Sequence, residues 1–172
     1  MKKTIYAVVF MALLLSSCAN EFNKVYKSTD NNFKYEYAKE SFVKGKYVRA
    51  SSLLQGLVTM QKGSENAQES LYMLGLSEFN SRDYEGAAAT FKKYCQSYPK
   101  GYYTQEARFL IGMSLYNCTP EPRLDQSQTV NAIAAFQEYI DLYPDGNQKK
   151  DAQQRLFELQ DKLVQKELYS AQ

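Results

Sequence analysis

One pattern occurs twice and limits what the chain can become. FKKYCQSYPKG starts at Phe91 and FQEYIDLYPDG at Phe136. Each reads Phe, Tyr three on, Tyr-Pro seven and eight on, and Gly ten on, with an alanine (Ala87, Ala132) four before the Phe. Alanine and a large apolar residue four apart share one helical face, a turn apart. Tyr-Pro then ends the helix, because proline lacks an N–H and biases the residue before it away from helical geometry. Gly101 and Gly146 are expected to take the positive φ of a tight turn. The unit is a helix with a small–large seam, and its recurrence 45 residues on makes a repeat array the first expectation.

The offsets extend the pattern in both directions. Around Ala87 lie Gly75, Phe79, Tyr84 and Phe91, and around Ala50 lie Ala38, Phe42, Tyr47 and Leu54, one copy 37 residues before the other. Gly112, Tyr116, Ala132 and Phe136 make a third copy. Its Gly-to-Phe gap is 24 residues against 16, which predicts an eight-residue insertion in the turn NCTPEPRLDQSQ, where Pro120 and Pro122 fit a loop. A small residue on each helix lets an antiparallel pair approach to about 8–10 Å. Helix pairs with A-x-x-x-F and a closing proline resemble the tetratricopeptide repeat. One departure is that Ser41 and Glu78 stand where that family has an aromatic, which here falls one residue later at Phe42, Phe79 and Tyr116.

A fourth segment reads as one long helix with the stripe Ala152, Leu156, Leu159 and Leu163. The sequence stops at Gln172 with no partner for that stripe, so either this helix caps the array or the array is longer. The fold class expected is all-α, a TPR-like solenoid over 33–172, with repeats at about 33–62, 65–101 and 103–146 and a long helix at 147–170.

The first residues read differently. Lys2 and Lys3 precede an apolar run from Ile5 to Leu15, the length of a signal-peptide core and too short to span a bilayer. It ends Leu15-Ser16-Ser17-Cys18, which resembles a bacterial lipobox. That resemblance implies cleavage of residues 1–17 as a signal peptide and acylation of Cys18, with Ala19 suiting the outer membrane. The alternative is an ordinary secretory leader with a chance cysteine. Residues 18–32 then form a lipidated end and a flexible tether, with Asp30, Asn31 and Asn32 as N-cap candidates for the first helix.

Composition excludes several functions. Lys and Arg number 21 against 19 Asp and Glu, and without the two leader lysines the charges balance, so there is no basic footprint for nucleic acid. With no histidine, His-dependent triads and His-ligated zinc are excluded. No catalytic residue, cofactor or metal ligand is expected. Cys95 and Cys118 lie near the ends of consecutive antiparallel helices, about 18 Å apart along the axis at 1.5 Å per residue. A disulfide needs Cα atoms within about 7 Å, so both are expected to be small buried residues.

On the first helix of each pair, residues three, four and seven apart share a face. These are Tyr35, Lys39 and Phe42, then Tyr72, Leu76 and Phe79, then Phe109, Met113 and Tyr116. Either they line a groove as a ladder for an extended, aromatic-rich peptide, or they pack neighbouring helices. The lipobox, the repeats ending YP-x-G, the insertion in the third repeat and the long helix together resemble the BamD family of outer-membrane lipoproteins. The resemblance runs from about residue 15 to 172, without that family's last two repeats. It implies a lipid-anchored scaffold facing the periplasm. Its partners would be a BamA-type barrel-assembly protein and unfolded outer-membrane proteins, whose C-terminal targeting segments the first three repeats would receive. Two further classes stay open. One is another periplasmic TPR lipoprotein, such as one coordinating envelope constriction with cell-wall synthesis. The other is a helical lytic transglycosylase, for whose catalytic domain no residues are left.

Overall fold

The structure, a computed structural model, describes residues 21–60, 63 and 66–171. The leader, the lipobox and Cys18 lie outside the described residues. Among those described there is no strand, and seven helices follow a short helical stretch at 21–26. They are α1 (Asn31–Val43), α2 (Tyr47–Met60), α3 (Ala67–Asn80), α4 (Tyr84–Ser97), α5 (Thr104–Asn117), α6 (Ser127–Leu142) and α7 (Lys149–Ser170). Each packs chiefly on the helix before and after it, and α5 also reaches α7. This is the TPR-like solenoid of successive helix pairs, in which stability comes from neighbour-to-neighbour interfaces.

The small–large seam builds each pair. A Cβ on Gly75 would stand 2.6 Å from the Phe91 ring, and one on Gly112 would stand 2.7 Å from Phe136. Glycine is therefore required where the two helices are closest. Ala38 and Leu54 occupy the corresponding places in the first pair and are both fully buried.

The rest of the repeated pattern serves the tyrosine three after each Phe. Tyr94 and Tyr139 are fully buried, yet their hydroxyls are paired. Tyr94 Oη accepts from Gln68 Nε2 at 2.6 Å and from the Tyr103 amide at 3.2 Å, tying α4 to the starts of α3 and α5. Tyr139 Oη donates to Gln148 Oε1 at 2.8 Å, at the entry to α7. Gly101 and Gly146 lie against these hydroxyls, where an added Cβ would come within 2.7 and 2.6 Å. Neither takes positive φ, contrary to the sequence expectation. They are glycines because a tyrosine hydroxyl fills the space a side chain would need.

Besides Gly63, between α2 and α3, positive φ falls in the turn inside each of the first two pairs. Gly45 has φ +70° between α1 and α2, and Arg82 has φ +68° between α3 and α4, 37 residues on. A left-handed backbone costs an L-residue about 1–2 kcal/mol, which glycine avoids. Arg82→Gly is expected to raise stability by about 0.5–1 kcal/mol, after its greater unfolded-state freedom is subtracted. An unchanged or lowered thermal midpoint would contradict this. Asp30 and Asp83 cap α1 and α4, their carboxylates accepting from the amides of Phe33 at 3.0 Å and Gly86 at 3.1 Å.

The insertion in the third pair is divided between loop and helix. Residues 118–126 join α5 to α6 where three residues, 81–83, join α3 to α4, and α6 is two residues longer than α4. The loop is fastened from both sides. Gln126 Nε2 donates to the carbonyls of Glu121 and Leu124, at 2.8 and 3.0 Å. From α7, Lys162 Nζ donates to Thr119 Oγ1 at 2.6 Å and Lys166 Nζ to the Arg123 carbonyl at 3.0 Å.

Two expectations need correction. Residues 21–26, read as part of a flexible tether, are helical, and Val25 is buried in the cluster that contains Tyr35, Ala50 and Leu54. Phe22, three residues earlier, packs against the same cluster, so two apolar contacts dock a segment too short to show a period. The cysteines are both free, but only Cys95 is buried; Cys118, at the start of the insertion loop, is half-exposed.

Candidate peptide groove

The first helices of the first two pairs enclose a cleft of about 230 Å³. α1 contributes Lys39 and Phe42, α3 contributes Glu69, Tyr72 and Leu76, and Tyr103 closes it from the start of α5. The placement follows from helix geometry, because Glu69, Tyr72 and Leu76 recur at spacings of three and four. Tyr72 stacks on Tyr103 with centroids 4.2 Å apart and planes 1° from parallel. Its other side meets Phe91 and Tyr94 at 5.9 and 5.7 Å. Only 6% of Tyr72 is exposed, so it is cleft wall and core at once. Burial, and then the hydrogen-bonded Glu106 carboxylate, push its pKa well above the ordinary tyrosine value and keep the phenol neutral.

One ion pair sits among these apolar walls. Lys39 Nζ lies 3.5 Å from Glu69 Oε1, joining the two helices, with both side chains substantially exposed. Such a pair contributes little to stability and is free to exchange partners. The chemistry available is therefore an aromatic slot with one ammonium and one carboxylate beside it. That combination suits an apolar or aromatic side chain near a peptide terminus or main chain.

Of the six aromatics and one methionine expected as a ladder, the structure brings together Phe42 and Tyr72, beside Lys39 and Leu76 of the same helix faces, and places the other five elsewhere. Tyr35 is buried in the first cluster, where burial and the neighbouring Glu69 carboxylate hold its proton on. Phe79 packs edge-on against Tyr84 at 5.4 Å, as Phe42 does against Tyr47. Phe109 meets Phe136 and Tyr139 inside its own pair, at 6.0 and 5.6 Å. Met113 is half-buried against the main core. Tyr116 is taken up by α7. Its hydroxyl donates to Glu158 Oε2 at 2.7 Å, and the Arg155 guanidinium lies 5.0 Å from its ring centroid. Glu69 and Tyr103 were not read as site residues. Glu69 was legible, standing three before Tyr72 on the same face. Tyr103 lies before its helix begins, outside any offset pattern.

A second cleft, of about 460 Å³, lies between α4, α5 and α6, with the Arg108–Glu138 ion pair above Ile111 and Leu115. It holds none of the expected site residues. Among the described residues no three His, Cys, Asp or Glu side chains are grouped to hold a metal, and no helix is long and apolar enough to cross a membrane.

Comparison with known proteins bears on this geometry. A family described as YfiO, outer membrane lipoprotein, matches residues 27–172. The outer membrane protein assembly factor BamD of Caulobacter vibrioides is 22% identical over 165 residues, covering 94% of this chain and 54% of that protein. The chain thus spans about half the length of the curated relative it matches.

Proposed function

This chain belongs to the YfiO family of outer membrane lipoproteins, and we propose that it serves outer-membrane protein assembly as a non-catalytic scaffold. Acylated at Cys18 and facing the periplasm, it would receive targeting segments of unfolded barrel proteins and engage a BamA-type partner. The observation that carries this reading is the cleft between α1 and α3, an aromatic slot beside an exchangeable Lys39–Glu69 pair. In this reading Phe42 and Tyr72 contact the peptide's aromatic side chains, and Lys39 takes its terminal carboxylate. Tyr35, Phe79, Phe109, Met113 and Tyr116 hold the helices that shape the slot.

Phe42 separates binding from folding, being half-exposed at the cleft. Phe42→Ala is expected to weaken binding of a peptide copying a barrel protein's C-terminus about tenfold or more, as truncation of an anchor does. Its thermal midpoint should fall only slightly. Unchanged peptide affinity would refute the slot. Pull-down from detergent-solubilised outer membrane tests the partner. Recovery of cell-wall synthesis proteins, with no barrel-assembly protein, would favour the envelope-constriction adaptor instead.

A further inference from the structure

We propose that the first helix pair lays a face against the phospholipid surface, so that the chain is held to the membrane by a docked patch as well as by its lipid. The inference rests on the acylation of Cys18 proposed above. It starts from a cleft of about 390 Å³ at the end of the fold where the chain enters, lined by Tyr26, Lys34, Gln55, Gly56 and Met60 among others. Of the lining residues, Tyr26 is 54% exposed and Met60 65%. Large apolar side chains left open together are costly in water unless something covers them.

Three observations identify the bilayer as the cover. The first is reach. Tyr26 stands eight residues after Cys18. At 3.3–3.6 Å per residue, a lipid on Cys18 keeps Tyr26 within about 30 Å of the membrane surface even with the intervening chain fully extended. The helical stretch at 21–26 shortens that leash further. The second is charge. Residues 21–60 carry seven Lys and Arg against four Asp and Glu, whereas residues 66–171 carry 11 against 14. The positive excess lies in the part nearest the anchor, where anionic headgroups attract it, and the negative excess in the rest. The third is residue type. A tyrosine ring with a polar tip, a lysine that extends its ammonium past an apolar stem, and a flexible methionine suit the headgroup–acyl boundary.

The chain contains no tryptophan, so one introduced indole reports its own surroundings. Tyr26→Trp places it on the patch. Tyr102→Trp places it at the α4–α5 turn, where the side chain is 89% exposed. Each full-length chain, purified from membranes, is reconstituted into phosphatidylethanolamine–phosphatidylglycerol vesicles containing brominated acyl chains. The indole at 26 should be quenched about twofold or more and shifted to the blue, and that at 102 should be quenched little. Met60→Trp gives the same reading from α2 if the first variant does not fold. Adding Lys34→Glu should reduce the quenching. Flotation and the mass of the N-terminal peptide report anchoring separately. A chain that is acylated and vesicle-bound but unquenched at both 26 and 60 overturns the patch and leaves the anchor standing. Quenching in a chain lacking the lipid supports the patch and removes the anchor. A chain that neither floats nor quenches overturns both.

Discussion

Tyr72→Ala should lower stability by about 3–5 kcal/mol, the range for deleting a buried aromatic ring. That is a large share of the 5–15 kcal/mol typical of a domain. For a chain of this size it corresponds to a fall in thermal midpoint of roughly 10 °C. The magnitude follows from three ring contacts on a side chain only 6% exposed. Truncation would empty the space between Tyr103 and Phe91 and remove the wall that α3 gives the cleft. Peptide affinity per folded molecule should fall as well, so Tyr72→Ala cannot separate binding from packing as Phe42→Ala can. A double-mutant cycle with Tyr103→Ala should show a coupling of about 0.5–1.5 kcal/mol from the stacked pair. A midpoint within a degree or two of the wild type, with peptide binding abolished, would show that the core tolerates the loss and that Tyr72 acts only as a ligand contact.

That dual role explains how far the sequence could be read. Offsets of three, four and seven located the first-helix face and the small–large seam, because both are consequences of helical period. Period cannot tell which side of a first helix meets its own partner and which meets the next pair. Tyr72 and Phe109 occupy equivalent positions 37 residues apart. Both meet the Phe and Tyr of their own pair's second helix, but Tyr72 also stacks on Tyr103, which precedes its helix. Tyr116 looked like a third rung, but the insertion and α7 bring Arg155 and Glu158 onto it. The glycines after Tyr-Pro are legible in the sequence but their cause is not, since a close approach to a tyrosine hydroxyl and a left-handed turn both demand glycine. The left-handed turn was hidden in turn by Arg82, a residue that does not advertise it. Val25 stood in a polar stretch with no period to mark it, and only tertiary contact reveals it as an anchor.

Glu78 was visible as a departure from the repeat pattern, and its consequence is pH-dependent. It is about nine-tenths buried on α3, in the position that Leu115 fills on α5, 37 residues on. Thr90 hydrogen-bonds its carboxyl, but among the described residues Oε2 has no partner. Burial is the first cause, and the Asp83 charge an additional one, that raises its pKa above the ordinary carboxyl range. An acid with a raised folded pKa holds its proton in the native state where the unfolded chain has already released it. The native state then binds more protons, so stability falls as pH rises from the unfolded pKa, about 4.3, through the folded one. At neutral pH and above, Glu78 should therefore be a net cost, because an unpaired buried polar group forfeits about 1–3 kcal/mol. Glu78→Leu, which copies the third pair, is expected to stabilise the protein by about that amount at pH 8 and by progressively less as pH falls toward 5, because the wild-type carboxyl takes up its proton more readily than an ordinary one. The check is a set of thermal or urea melts of both proteins across that range. A variant that is less stable at pH 8, or whose advantage does not shrink toward pH 5, would mean that the carboxylate is ionised and adequately paired, and that the repeat gains from keeping a charge at this seam.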